Sequence, residues 1–191
     1  MILYSQPQIS NMNKVLFSVL ILITVLASCN AKRDWSQKAI EKQEKTLAEQ
    51  AQKGKVDSSS VNNLLKDYEA YATAYPNDTN GANYLFKAAD FYRYMRKPLR
   101  SIELYSTIYA HYPTLAKRPY ALFLQGFIFE NEVGNTHAAK NLYEKFLAEY
   151  PTHPIAKDVQ TTLNNLGKTP EQLIQEFQEN ARLDSLQQTG K

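Results

Sequence analysis

The chain has 191 residues, of which 43% are hydrophobic, enough for a domain with a real core. A net charge of +3 with 21% charged residues lacks the clustered cationic excess that a nucleic-acid partner requires. One cysteine excludes an intrachain disulfide and a thiolate zinc cluster, while six glycines and few β-branched runs favour helix.

At the amino end, Met12-Asn13-Lys14 supplies a positive charge before the continuous apolar run Val15–Ala27. As a helix that run spans roughly 20 Å, short of a hydrocarbon core of about 30 Å. A charged start, a short apolar stretch and small residues at its end form a secretory signal over residues 1–28, with Met12 as the expected true start. Leu26-Ala27-Ser28-Cys29 resembles the lipobox of bacterial lipoproteins. That resemblance implies cleavage before Cys29, a diacylglyceryl group on its thiol and acylation of its new amine. Two or three acyl chains anchor stably where one does not, since each buried CH₂ contributes about 0.8 kcal/mol. Asn30 stands where an Asp would retain such a protein in the inner membrane of enteric-type bacteria, so the expected location is the outer membrane, facing the periplasm. Residues 29–34 are expected to be a short tether, 35–186 a helical domain and 187–191 a disordered tail.

The first expected helix, Asp34–Gln52, is weakly apolar through Trp35, Ile40 and Leu47 and stops at Gly54. Ser58 or Ser59 is the expected cap of the second, whose face is Val61, Leu64, Leu65, Tyr68, Tyr71 and Tyr75. Three Tyr-Pro pairs then set a period: Tyr75-Pro76, Tyr112-Pro113 and Tyr150-Pro151, separated by 37 and 38 residues. Another tyrosine precedes each proline by eight residues (Tyr68, Tyr105, Tyr143), and Tyr71, Ile108 or Phe146 precedes it by five. These spacings put one bulky stripe on a helical face, and each proline ends its helix by forcing the preceding residue out of the α region. Leu85, Ala89 and Tyr92 recur as Leu122, Gly126 and Phe129, with a small residue where a partner helix must approach closely. Ser101 and Ala139 are the small residues of the second helices. Pro154–Leu166 forms a further helix, and Thr169-Pro170-Glu171-Gln172 starts the last one with a capping box. That helix is expected to bury Leu173, Ile174 and Phe177 and then to turn polar.

This punctuation resembles the tetratricopeptide repeat (TPR), well over Asn80–Pro151 as two repeats, with departures in length, at Leu64 (a small position) and at Gln125 (an apolar one). The fold it implies is all-α, a right-handed TPR-like solenoid of about eight helices in four antiparallel hairpins.

No nucleophile–base constellation, phosphate loop or metal spacing is present, and His111, His137 and His153 read as surface turn residues. The expectation is therefore no enzyme, no cofactor, no metal and no small-molecule substrate. The resemblance implies a concave groove lined by the first helix of each hairpin, where partner proteins bind. Its positions fall on Asn83, Phe86, Lys87, Asp90 and Arg93 in one repeat, and on Tyr120, Phe123, Phe127 and Glu130 in the next. Tyr120–Glu130 is apolar nearly all round, which suits either a helix sandwiched on both sides or an aromatic binding strip. The cationic run Arg93–Arg100 suits either an acidic partner or lipid headgroups, or else a solvated turn. Lipobox, short tether and the rhythm of Ala139–Val159 are similar to outer-membrane assembly lipoproteins of the BamD type and also to Tol–Pal-associated periplasmic coordinators. The resemblance implies an envelope scaffold for protein–protein interaction, with a secretion or cell-wall adaptor and an accessory enzyme subunit as the other readings.

Overall fold

The computed structural model describes the backbone of residues 9–189 and the side chains of residues 31–186. The expected signal segment 1–28, the expected acylation site Cys29 and the expected tail 187–191 lie outside the residues with described side chains. Among the described residues the structure is all-α, with one π-turn and no strand. It divides into two compact units, Met1–Tyr75 and Pro76–Lys191.

The first unit is a pair of packed helices, α1 (Ile9–Gln52) and α2 (Ser58–Ala74). Residues 31–34, expected in the tether, are helical within α1. The helix ends at Gly54, whose φ of +63 lets Lys55 N–H reach the Gln50 carbonyl at 2.9 Å and Gly54 N–H the Ala51 carbonyl at 3.0 Å. That pair of bonds closes the helix as a Schellman motif. Ile40 and Leu47 of α1 are buried with Leu64, Leu65, Tyr68 and Tyr71 of α2, but Trp35 is 72% exposed. The cap of α2 is Asp57 rather than either serine: its carboxylate accepts from Ser59 N–H and Ser60 N–H. A carboxylate one residue earlier reaches those orphan donors and complements the helix dipole as well.

The second unit stacks α3 (Thr79–Tyr94), α4 (Pro98–His111), α5 (Arg118–Ile128), a π-turn (Phe129–Val133), α6 (Thr136–Glu149) and α7 (Ala156–Asn165), each packed on the next. Helix α8 (Pro170–Thr189) follows. Short connections make successive packed helices antiparallel hairpins, and the TPR-like expectation holds. The proline rule is visible at all three sites. Tyr75, Tyr112 and Tyr150 have ψ of 65, 69 and 52, outside the helical range, as a following proline demands. Each still donates its N–H to the carbonyl four residues back, Tyr71, Ile108 or Phe146, so the helix loses no bond at its last turn.

Two local features were not foreseen. The α5 helix loosens into the π-turn, which Gly134 closes at φ +75 while Asn135 N–H donates to the Phe129 carbonyl at 2.7 Å. Asn135 then caps α6 through its side chain, accepting from Ala138 N–H. At the end of α3, Arg96 occupies the left-handed position at φ 56, normally a glycine site. Arg96 N–H and Lys97 N–H bond to the Arg93 and Tyr92 carbonyls, both at 2.9 Å, another Schellman closure. A side chain there costs on the order of 1 kcal/mol.

The core of α5–α7 contains Leu122, Ala139, Tyr143, Phe146, Ala156 and Val159. The expected small position is strict here. A Cβ on Gly126 would lie 2.7 Å from a ring carbon of Tyr143, and that ring is fully buried. The capping box of α8 forms as expected, with Thr169 N–H donating to Gln172 Oε1 at 2.8 Å and Gln172 N–H donating to Thr169 Oγ1 at 3.3 Å. The face it was expected to bury is open, however: Ile174 is 57% and Phe177 76% exposed, with Leu173 half-buried. The capping residues fix where a helix starts, but burial needs a neighbouring face, and among the described residues α8 has no extensive packing on another helix. Among the described residues no helix is long and apolar enough to cross a membrane.

Gly126→Ala gains roughly 1 kcal/mol of helix propensity but forces Tyr143 off its seat at a cost of about 1–3 kcal/mol. The expected outcome is net destabilisation, read as a lower denaturation midpoint with an unchanged m-value.

Candidate functional site

The expected groove residues lie on α3, α5 and the start of the π-turn, and the structure divides them into two groups. Asp90 and Glu130 are engaged in the fold. Tyr105 Oη–H donates to Asp90 Oδ1 at 2.6 Å, and Tyr143 Oη–H donates to Glu130 Oε2 at 2.7 Å. The same bond occurs in the first unit, where Tyr68 Oη–H donates to Glu44 Oε1 at 2.6 Å. These are the tyrosines placed eight residues before each proline, and their residues are no more than 1% exposed. The buried ring of each second helix thus carries its only polar atom to a carboxylate on the preceding segment, satisfying a hydroxyl that burial would otherwise penalise. Burial, reinforced by the carboxylate, pushes the Tyr105 and Tyr143 hydroxyls far above the usual tyrosine range.

The second group is partly open. Asn83 is half-buried and Lys87 exposed, with the Lys87 ammonium 5.7 Å from the Tyr84 ring centre. Phe86 is half-buried, packed edge-on to Tyr105 at 5.0 Å, with the Lys117 ammonium 5.1 Å from its centroid. Arg93 donates from Nε to Glu132 Oε1 at 2.8 Å and lies 5.2 Å from the Phe127 ring centre. That stacking fixes the guanidinium plane and leaves Phe127 half-buried. Phe123 belongs with the interior: its ring sits 5.9 Å from Tyr143 and 6.4 Å from Phe146, and it packs on the α5–α7 core. Tyr120 is 38% exposed and meets His153 edge-on at 5.1 Å. Tyr120–Glu130 is therefore neither fully enclosed nor a continuous strip. Gln125, at an expected apolar position, is buried because its Nε2 donates to the Ala121 carbonyl at 3.0 Å.

Asp90, Arg93, Tyr94, Arg96 and Glu132 line a cleft of about 320 Å³. A larger one of about 700 Å³ in the first unit is lined by residues including Trp35, Lys38, Lys42, Leu47 and Ser60. Among the described residues no group of three or more His, Cys, Asp or Glu could hold a metal ion.

Two contributors were missed in the sequence. Arg118 joins three helices: its guanidinium lies 4.1 Å from the Tyr109 ring centre, its Nε donates to the Tyr109 carbonyl at 2.9 Å, and it donates to Tyr150 Oη. Tyr109 Oη–H reaches both oxygens of Glu149, at 2.6 and 2.7 Å, and Arg118 lies 3.8 Å from Glu149. This clamp braces the start of α5. His153, expected as a surface turn residue, is half-buried among the rings of Tyr120, Phe146 and Tyr150, because the turn before α7 folds back over the aromatic end of α6.

A tyrosine pKa raised above its unfolded value near 10 contributes stability that is fully present below pH 10 and is lost as pH rises beyond it. Tyr105→Phe and Tyr143→Phe each cost about 1 kcal/mol at neutral pH. Each also flattens the alkaline loss of stability by up to about 1.4 kcal/mol per pH unit, measurable by denaturant titrations between neutral pH and pH 11.

The tetratricopeptide repeat family matches residues 120–153, which comprise most of α5, the π-turn and α6. No curated protein matches the chain. The match lies on the hairpin that holds Gly126, Glu130 and Tyr143, which is thus similar to a tetratricopeptide repeat, a unit that generally mediates protein–protein interaction.

Proposed function

We propose that this protein is a lipid-anchored interaction scaffold of a bacterial cell envelope, held at Cys29 and binding a partner protein along the first helices α3 and α5. The observation that carries the binding face is the pairing of half-buried rings with cations across two consecutive hairpins: Phe127 under Arg93, and Phe86 beside Lys117. Rings already supported on one side lose little entropy on binding, and Arg with aromatic residues makes the usual interface anchors. Asp90 and Glu130 are held in place by the fold, since each accepts a tyrosine hydroxyl. The lipobox supports the anchor and Asn30 the outer membrane. Participation in outer-membrane protein assembly is the narrower form of this reading, and it rests on resemblance to the BamD type.

A photo-crosslinker at Lys87 in the native host captures the partner. Phe127→Ala is expected to weaken capture at least tenfold while circular dichroism and the melting midpoint stay close to wild type. Loss of fold in Phe127→Ala would instead return that ring to the core. A captured subunit of a β-barrel assembly machine supports the narrower reading, and a different envelope protein makes this an adaptor of that complex. Cys29→Ala is expected to abolish fatty-acid labelling and to lower membrane retention in fractionation. Unchanged labelling removes the anchor.

A further inference from the structure

We propose that the α3–α4 turn is a second membrane contact, a tip that docks on an anionic lipid surface independently of acylation at Cys29. Tyr94, 86% exposed, and Leu99, 66% exposed, are the two most exposed large apolar side chains of α3–α7. They flank the turn that carries Arg96 and Lys97, both exposed. Of the neighbouring charges, Arg93 pairs with Glu132 and Arg100 with Glu103, while the Asp90 carboxylate, which accepts the Tyr105 hydroxyl, offsets only one of the two remaining cations. Arg96 and Lys97 therefore supply the surplus positive charge of the turn, with the Lys97 ammonium 5.9 Å from the Tyr92 ring centre.

Arg96 also sits where the backbone favours glycine, at φ 56 in the left-handed closure of α3. A cation kept at a strained position points to a use for its charge. A tyrosine and a leucine beside arginine and lysine suit the headgroup layer, where aromatic rings lie at the polar boundary and cations meet lipid phosphates. A protein partner suits this turn less well. A stable protein interface needs about 800 Å² from each side, whereas only these two large apolar side chains are strongly exposed here, on either side of a three-residue turn (Met95–Lys97).

The test uses the full chain with Cys29→Ala and Leu99→Cys carrying an environment-sensitive fluorophore. It is mixed with vesicles of phosphatidylcholine alone, or with about one third phosphatidylglycerol. The expected result is a blue shift and brightening only on the anionic vesicles, reversed by high salt and abolished by Arg96→Glu with Lys97→Glu. Arg96→Gly is expected to raise the melting midpoint yet weaken vesicle binding about fivefold, a combination that a purely structural residue would not give. Equal signals on both vesicle types, or a signal that survives charge reversal in a folded variant, overturn the proposal. A shift produced by soluble polyglutamate but not by vesicles overturns it too and assigns the turn to an acidic protein.

Discussion

Each well-packed hairpin of this protein turns on one buried tyrosine that must be satisfied at both ends. Its ring needs room on the neighbouring helix, and its hydroxyl needs an acceptor at the far side of that helix. In the hairpin of residues 120–153, Gly126 provides the room and Glu130 the acceptor. In α3–α4, Tyr105 reaches Asp90, and in the first unit Tyr68 reaches Glu44. A phenylalanine would fill the same space, but it would leave a carboxylate facing apolar surface without its donor. The bond therefore fixes how far each second helix slides along the first, and with that the register of the side chains that remain outside.

That register separates structural from available groups along α3 and α5. Both carboxylates expected to line a binding groove, Asp90 and Glu130, are engaged by tyrosine hydroxyls, so part of their hydrogen-bonding capacity is taken up by the fold. What stays partly exposed is aromatic, Phe86 and Phe127, with Arg93 stacked on Phe127 while paired to Glu132. The π-turn contributes here. By widening the last turn of α5 it accompanies the placing of Glu130 against Tyr143 and of Glu132 against Arg93, so one irregular segment serves both the lock and the open face.

Much of the fold was legible because it depends on local rules. Tyr-Pro stops, small residues at close approaches and the Thr169–Gln172 capping box are short-range constraints that the sequence states directly. The tyrosine–carboxylate bonds were not legible: the partners are separated by 24, 15 and 13 residues, so no fixed spacing announces them. Arg118 was missed for a similar reason, since its three partners come from α4 and the C-terminal end of α6. The misplaced burial on α8 has another cause. Leu173, Ile174 and Phe177 define an apolar face, but periodicity states only that a helix has such a face, not that a neighbour covers it. The cap of α2 fell to Asp57 because three consecutive serines offered a plausible alternative one residue later.

The most direct measurement of the central claim is a double-mutant cycle on Tyr143→Phe and Glu130→Ala, read by equilibrium denaturation. A lock that sets hairpin register predicts a coupling energy of roughly 1–2 kcal/mol between the two positions. Additive effects, with a coupling near zero, would contradict it.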